Sequence, residues 1–215
     1  LVMLAVYVLG IVVAILSGLL LKKTLFTGNP VPFVMELPAY RIPNAQSVLL
    51  HMWEKAKDFL HRAFTIIFTA TIVIWFLQSY DFSFHAVSDA SESMLAGIGS
   101  LLSPIFAPLG FGDWRATSAL ITGVTAKESV VSTLSILTGA GSDAGLSAAL
   151  MTMFTPVSAF AFLCFTVLYM PCVAAFAATR RELGSFWQAL ATVLFQTGAA
   201  YIVAFLVYQI GSVLL

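Results

Sequence analysis

The sequence contains a run of 36 residues, 144–179, without a single charged side chain. As one straight helix this run would be about 54 Å long, whereas the hydrocarbon core of a bilayer is about 30 Å thick. Pro156 and Pro171 lie within it, and a proline inside a helix removes a backbone hydrogen bond and kinks or breaks the helix. The run therefore predicts broken helices inside a membrane.

Composition supports a membrane protein. Hydrophobic residues make up 60% of the 215 residues and charged residues only 9%, against about 25% charged in soluble proteins. Ten basic residues balance ten acidic ones, so no net positive charge attracts nucleic acid. The length accommodates about six helical spans with their loops. We expect an all-α polytopic membrane protein with about six transmembrane segments, some of them proline-broken or re-entrant, in contact with membrane lipid.

The charged residues divide the chain into segments. Between residues 22 and 62 there are six basic and three acidic side chains, which favours the cytoplasmic side for this loop. The predicted order is a transmembrane helix at 1–21, a cytoplasmic loop at 22–62 with an amphipathic interfacial helix at 44–62, a transmembrane helix at 63–80, a region of broken helices at 94–180 and a final transmembrane helix at 185–215. Within 94–180 the simplest solution has crossings at 94–110, 116–138 and 146–179. Residues 1–21 contain no basic residue and no starting methionine, which suggests a chain that begins inside a larger polypeptide.

The predicted helix 116–138 carries a polar stripe. At 100° per residue, its hydroxyl side chains share one face about 80° wide; they are Ser118, Thr122, Thr125, Ser129 and Ser132. Glu128 lies at the edge of the stripe and Lys127 points nearly opposite. Hydroxyl residues also serve close helix packing, but an acid in mid-membrane usually marks an ion or proton path. We interpret Glu128 as functional and Lys127 as a structural charge.

A second candidate site is the sequence YMPC, from Tyr169 to Cys172. A break at Pro171 frees backbone carbonyls, which is tolerated at membrane depth only inside protein or along a cavity, and discontinuous helices form ion sites in transporters. The Cys172 thiol and the Met170 thioether suit later first-row transition metals, and with a carboxylate they would accept ferrous iron. The alternative is that Cys172 is an ordinary buried apolar residue. Cys164 is interpreted as packing, and both cysteines as free thiols.

Four segments resemble one known family. They are PFVMELPAYRIP at 32–43, HMWEKAKDFL at 51–60, FGDWRATSALITGVTAKESVVSTL at 111–134 and YMPCVAAFAATRRELGSFW at 169–187. Together they resemble the C-terminal membrane region of ferrous iron transport protein B, the FeoB family, over nearly the whole chain.

The resemblance implies a multi-pass Fe²⁺ transporter of the bacterial inner membrane with a nucleoside-transporter-like gate. This chain would hold the second Gate segment and the region before it, with Fe²⁺ as the transported substrate and no bound cofactor. The family's N-terminal G domain, which would bind GTP and Mg²⁺, and its first Gate segment would be missing partners. Small Feo accessory proteins and further copies of the chain are also expected partners. Carried over to this sequence, the gate cysteine is Cys172 and the acid is Glu128.

The implied site consists of metal ligands and residues that line the path. Cys172, Glu128 and Met170 are the expected ligands, and the lining residues are Thr122, Thr125, Ser129, Ser132 and Tyr169. Two alternatives remain at this point, a gate-type transporter of a nucleoside or another organic solute and a membrane assembly module without transport activity. Because the sequence lacks a GxxxxGK[ST] phosphate loop, we do not expect this chain itself to be an enzyme.

Overall fold

The computed structural model describes residues 2–25, 44–170 and 172–214, without the side chains of residues 58, 59, 62 and 63. The chain divides into two units, Leu1–His61 and Arg62–Leu215. The described residues form helices and no strand; Tyr80 and Ala86 make an isolated antiparallel bridge. The predicted all-α class is confirmed.

The first unit contains helix α1 (Val2–Thr24) and the beginning of helix α2 (Ala45–Ser79). Lys22 and Lys23 occupy the last turn of α1, where positive charge interacts favourably with the helix dipole. Asn44 caps α2 as its sequence position predicts, since its Oδ1 accepts a hydrogen bond from the backbone of Gln46 at 3.1 Å. Helix α2 is continuous from the expected interfacial segment into the expected span. The segment 32–43 lies outside the described residues.

The loop after α2 is organised by Asp81. Its Oδ1 accepts backbone hydrogen bonds from His85 and Ser83, each at 2.8 Å. These bonds hold the pKa of the Asp81 carboxyl below its usual value, and the bond from the backbone of His85 has the largest effect. Ser93 then begins the next helix, because its Oγ accepts a bond from the backbone of Ala96 at 3.2 Å, as N-cap residues do.

In its described residues the second unit continues with six helices of 9 to 13 residues and a final helix of 29 residues. They are α3 (Met94–Phe106), α4 (Trp114–Gly123), α5 (Ser129–Leu137), α6 (Asp143–Met153), α7 (Pro156–Leu168), α8 (Val173–Leu183) and α9 (Phe186–Leu214). Capping side chains and a glycine determine where several of these helices begin or end. Asp113 caps α4, and Thr155 and Ser158 form a capping box at α7 with Pro156 in the first turn. Gly184 ends α8 in the left-handed conformation, at a φ of 65°, which glycine adopts without strain.

Aromatic side chains fill the core of the second unit. Phe111 is 1% exposed, and its ring lies 5.7 Å from Phe106, 5.3 Å from Phe162 and 6.0 Å from Phe165. Helix α9 packs against both α7 and α8. Its small core residues, which include Ala200 and Ala204, are fully buried and allow a neighbouring helix to approach closely.

Among the described residues, fewer than six segments are long and apolar enough to cross a membrane. By length and composition three described segments can cross a membrane, namely α1, α7 with α8, and α9. A fourth is possible if α3 and α4 count as one span, with a bend of 102° between them. Helices α4, α5 and α6 have 9 to 11 residues and reach only about 15 Å each, half the hydrocarbon thickness. Broken or re-entrant helices are therefore prominent among the described residues, as predicted, and complete spans are fewer.

The predicted single helix 116–138 is wrong. Helix α4 ends at Gly123 and α5 begins at Ser129, with an interruption between them. The run 144–179 is interrupted as predicted, before Pro156 and again between Leu168 and Val173. The final helix predicted at 185–215 is present as α9.

Candidate functional site

The first helix break, 124–128, replaces the middle of the expected straight helix. The backbone N–H of Val124 and Thr125 donate to carbonyls three residues earlier, which tightens the last turn of α4. The Thr122 and Thr133 hydroxyls share a hydrogen bond of 2.8 Å. In a continuous helix these residues would be about 16.5 Å apart along the axis. The short bond therefore means that α5 folds back beside α4.

The second helix break, 169–172, separates α7 from α8. The Tyr169 N–H donates to the Phe165 carbonyl at 2.8 Å, the last helical bond of α7. Cys172 has extended backbone, with φ −60° and ψ 161°, and precedes the first residue of α8. Pro171, which we predicted to cause this break, lies outside the described residues.

The two breaks contact each other, and we call this contact the crossing. The Val173 N–H donates to the Val124 carbonyl at 2.9 Å. The Tyr169 hydroxyl donates to the Leu120 carbonyl at 3.2 Å. Gly123 has no space for a side chain, because a Cβ there would overlap the Tyr169 hydroxyl and Val130. The absence of a Cβ at Gly123 thus allows the tyrosine to reach the backbone of α4.

Lys127 completes the crossing. Its Nζ donates to the carbonyls of Val167 at 3.0 Å and Tyr169 at 3.3 Å, and it lies 4.9 Å from the centre of the Tyr169 ring. These carbonyls belong to the C-terminal end of α7, where backbone oxygens lack helical partners and the helix dipole is negative. In the part of the chain that the structure describes, no carboxylate lies within ion-pair distance of Lys127.

Glu128 and its neighbour Lys127 interact with different helices. It occupies the N-cap position of α5 without a side-chain capping bond, and its side chain is exposed on this chain. A carboxylate at a helix N-terminus interacts favourably with the positive end of the helix dipole. We expected this acid in mid-membrane, at the edge of a polar stripe on one continuous helix. It lies instead at the end of the first break, in an exposed position at the N-terminus of α5.

The expected sulfur ligands lie at the second break. Met170 and Cys172 are both half-buried. Cys164 is fully buried, and both cysteines are free thiols. Across residues 2–25, 44–170 and 172–214, no three histidine, cysteine or acidic side chains cluster closely enough to hold a metal ion.

The hydroxyl residues of the expected stripe separate into interior and peripheral positions. Ser118 is buried and donates to the Leu95 carbonyl at 3.2 Å, and Thr122 is buried against α5. Thr125 and Ser129 are half-buried at the first break, whereas Ser132 is exposed. Thr133, which the sequence reasoning did not select, is the residue that meets Thr122. Gly123, between Thr122 and Val124, was the available signal that the helix ends there.

A cavity of about 660 Å³ opens beside the first break, among α5, α6 and α7. Its walls are mainly apolar, with Leu134, Leu150 and Phe162 among them, and Lys127 lies at its margin. Neither Cys172 nor Glu128 lines it. The expected ligands Cys172 and Glu128 therefore lie outside this apolar cavity, whereas Lys127 borders it.

The main-chain bond of the crossing can be tested by itself. Val173 is the first residue of α8, a position that tolerates proline, and the extended backbone of Cys172 suits a residue before proline. Val173→Pro should remove the donor to the Val124 carbonyl and lower the free energy of unfolding by about 1 kcal/mol. Val173→Ala, which keeps the N–H, is the control in thermal denaturation in detergent. Equal stability of the two variants would contradict a contribution from this bond.

Two family models match the chain. The Gate model, described as nucleoside recognition, matches residues 60–186, and the model of the ferrous iron transport protein B C terminus matches residues 3–55. The Gate match covers α3 to α8, and so includes both helix breaks. The FeoB match covers α1 and the beginning of α2.

Curated relatives extend the same similarity over almost the whole chain. The Fe(2+) transporter FeoB of Staphylococcus aureus is 42% identical over 212 residues, 98% of this chain and 32% of that protein. The Fe(2+) transporter FeoB of Methanocaldococcus jannaschii is 40% identical, with 99% of this chain and 32% of that protein covered. A Porphyromonas gingivalis protein named as a fusion of Fe(2+) transport protein A and FeoB is 36% identical, with 98% and 30% covered.

The chain therefore spans about a third of the length of these curated relatives. No solved structure matches it significantly. The resemblance inferred from the four sequence segments is confirmed, because both family models and the relatives agree with it. The chain belongs to the Gate family, and it corresponds to the C-terminal region of FeoB proteins.

Proposed function

We propose that this chain is the C-terminal membrane portion of a transporter that carries Fe²⁺ into the cell through the inner membrane. The observation that carries the proposal is the crossing, where two interrupted helices hydrogen-bond to each other through backbone. Interrupted helices leave polar backbone groups inside an apolar protein, which is the usual construction of ion sites in transporters. The relatives named Fe(2+) transporter FeoB support Fe²⁺ as the substrate.

In this proposal the ion path runs past the accessible side of the crossing. The half-buried sulfurs of Cys172 and Met170 and the exposed carboxylate of Glu128 are the proposed ligands, since thiol and carboxylate together suit ferrous iron. Thr125, Ser129 and Ser132 would line the path. Thr122 and Tyr169 are buried, so we propose that they hold the crossing in place from its interior side.

Partners belong to the proposal as well. The remaining two thirds of the full-length relatives would contribute the first Gate segment and a G domain that binds GTP and Mg²⁺. The name of the Porphyromonas gingivalis fusion protein supports a small accessory protein of the Fe(2+) transport protein A type. Because no ligand set of three groups is clustered among the described residues of this chain, we propose that other segments or another copy complete the site.

Uptake of radiolabelled Fe²⁺ by cells that express the full-length protein tests this function. Cys172→Ser and Glu128→Ala should each lower the uptake rate by at least tenfold, roughly the loss of one 1.4 kcal/mol interaction with the ion or more. Matched controls are Cys164→Ala, which removes the buried thiol, and Glu92→Ala, which removes a loop carboxylate. Protein levels must be equal. Unchanged uptake in both site variants would refute the site assignment.

The same assay separates the two alternatives. The apolar cavity of about 660 Å³ and the nucleoside-recognition description of the Gate family favour an organic solute as the second candidate substrate. Competition by nucleosides but not by Mn²⁺ would support that candidate over a metal. A membrane assembly module would instead give no Fe²⁺ uptake above that of cells without the protein.

A further inference from the structure

Lys127 holds an uncompensated positive charge at the place where the proposed path passes Cys172. Its ammonium is half-buried and bonded to two carbonyls and to the face of an aromatic ring. Carbonyl oxygens and an aromatic face are the groups that also attract free cations. Within the described ranges no carboxylate neutralises it at ion-pair distance.

We propose that Lys127 is a tethered cation that occupies the carbonyl end of α7 and sets the charge selectivity of access to Cys172. A mobile cation that approaches Cys172 is then repelled until the ammonium leaves the Val167 and Tyr169 carbonyls. This specificity-determining role rests on the proposed function only in that Fe²⁺ is the cation concerned. The charge effect itself concerns any small charged molecule near the thiol.

The geometry distinguishes this role from that of a simple structural pin. A purely structural residue would need only hydrogen-bond donors. In that case a neutral donor could replace Lys127 with little effect on charge selectivity. The ammonium instead lies at the second break, 3.3 Å from the carbonyl of Tyr169, in the same segment 169–172 as Cys172, and the Val173 N–H bonds to the break that carries Lys127. Glu128, the next residue in the sequence, is exposed. Its carboxylate is available to the ammonium of Lys127 once this leaves the two carbonyls.

Reaction of Cys172 with charged methanethiosulfonates tests the proposal. The purified full-length protein in detergent is treated with a trimethylammonium reagent or a sulfonate reagent, and mass spectrometry of the peptide containing Cys172 gives each rate. Rates are normalised to those of glutathione. In the unmodified protein the cationic-to-anionic rate ratio should be below one, because like charges repel.

Lys127→Met should raise this ratio on the order of tenfold, and Lys127→Arg should leave it near the unmodified value. Lys57→Met, on an exposed part of α2, is the matched control for loss of one lysine. A ratio that is unchanged in Lys127→Met overturns the proposal, as does a Cys172 that reacts with neither reagent in that variant. If Lys127→Met does not fold, the ratio in the unmodified protein decides, and a value of one or more overturns the proposal.

Failure of the transport proposal gives a different pattern. Fe²⁺ uptake that does not depend on Cys172 would refute the iron path while the reagent ratio still responds to Lys127. The converse result is uptake that depends on Cys172 while the reagent ratio is unchanged in Lys127→Met. That result would support the proposed iron path and refute the tethered cation.

Discussion

Replacing Tyr169 by alanine is expected to lower the free energy of unfolding in detergent by about 3 kcal/mol. The side chain is 6% exposed, and its ring stacks on Phe165 at 5.3 Å and carries the Lys127 ammonium on its face. Its hydroxyl reaches the backbone of α4 at Leu120. Alanine would remove these contacts together and leave a cavity beside Gly123. Reversible denaturation followed by tryptophan fluorescence measures the loss.

A second substitution divides this effect into its parts. Tyr169→Phe keeps the ring and removes only the bond to the Leu120 carbonyl, so a loss of about 1 kcal/mol is expected. Tyr7→Ala is the control, because Tyr7 lies on α1 and is 68% exposed. Equal losses in Tyr169→Ala and Tyr7→Ala would show that the crossing adds nothing to stability.

Replacing Phe111 by alanine is the other substitution with a large expected effect. The ring lies among Phe106, Phe162 and Phe165, and therefore joins the segment after α3 to α7. Between membrane helices, packing contributes more to association than removal of apolar surface from water does. The cavity left by a missing phenyl ring should cost about 3 kcal/mol.

The control for this prediction is Phe68→Ala on α2. Phe68 is 55% exposed, so its removal opens no internal cavity, and a change within about 0.5 kcal/mol is expected. Both variants are measured in the same detergent at the same protein concentration. A Phe111→Ala protein as stable as Phe68→Ala would mean that the aromatic cluster relaxes to fill the space.

The sequence predicted the break at 169–172 and missed the break at 124–128 for one physical reason. A proline acts locally, since it cannot donate a hydrogen bond whatever surrounds it. The first break contains no proline, and Gly123 with two β-branched neighbours lowers helix propensity only weakly. The Lys127 bonds to the end of α7 and the Val173 bond to Val124 join residues that are 40 to 49 positions apart. A periodicity of 100° per residue carries no information about such contacts.

The number of complete spans could not be derived from the sequence for a related reason. Hydropathy recognises apolar residues, but it does not show whether an apolar helix crosses the membrane or turns back within it. Helices α4 and α5, with 10 and 9 residues, are each too short to span the membrane interior. The candidate residues could be selected from the sequence because a thiol, a carboxylate and an ammonium are conspicuous in a chain with few polar groups, and their role stays a prediction. Glu128 and Lys127 are adjacent in sequence, yet only the folded chain assigns them to opposite ends of different helices.

Helix α9 restricts how the second break can move. It is unbroken over 29 residues and packs against both α7 and α8, the two helices that the break separates. The fully buried Ala200 and Ala204 lie on α9, where small side chains permit close helix contacts. A single continuous helix therefore supports both sides of the second break, so a change in the position of α7 relative to α8 must be accommodated at their contacts with α9.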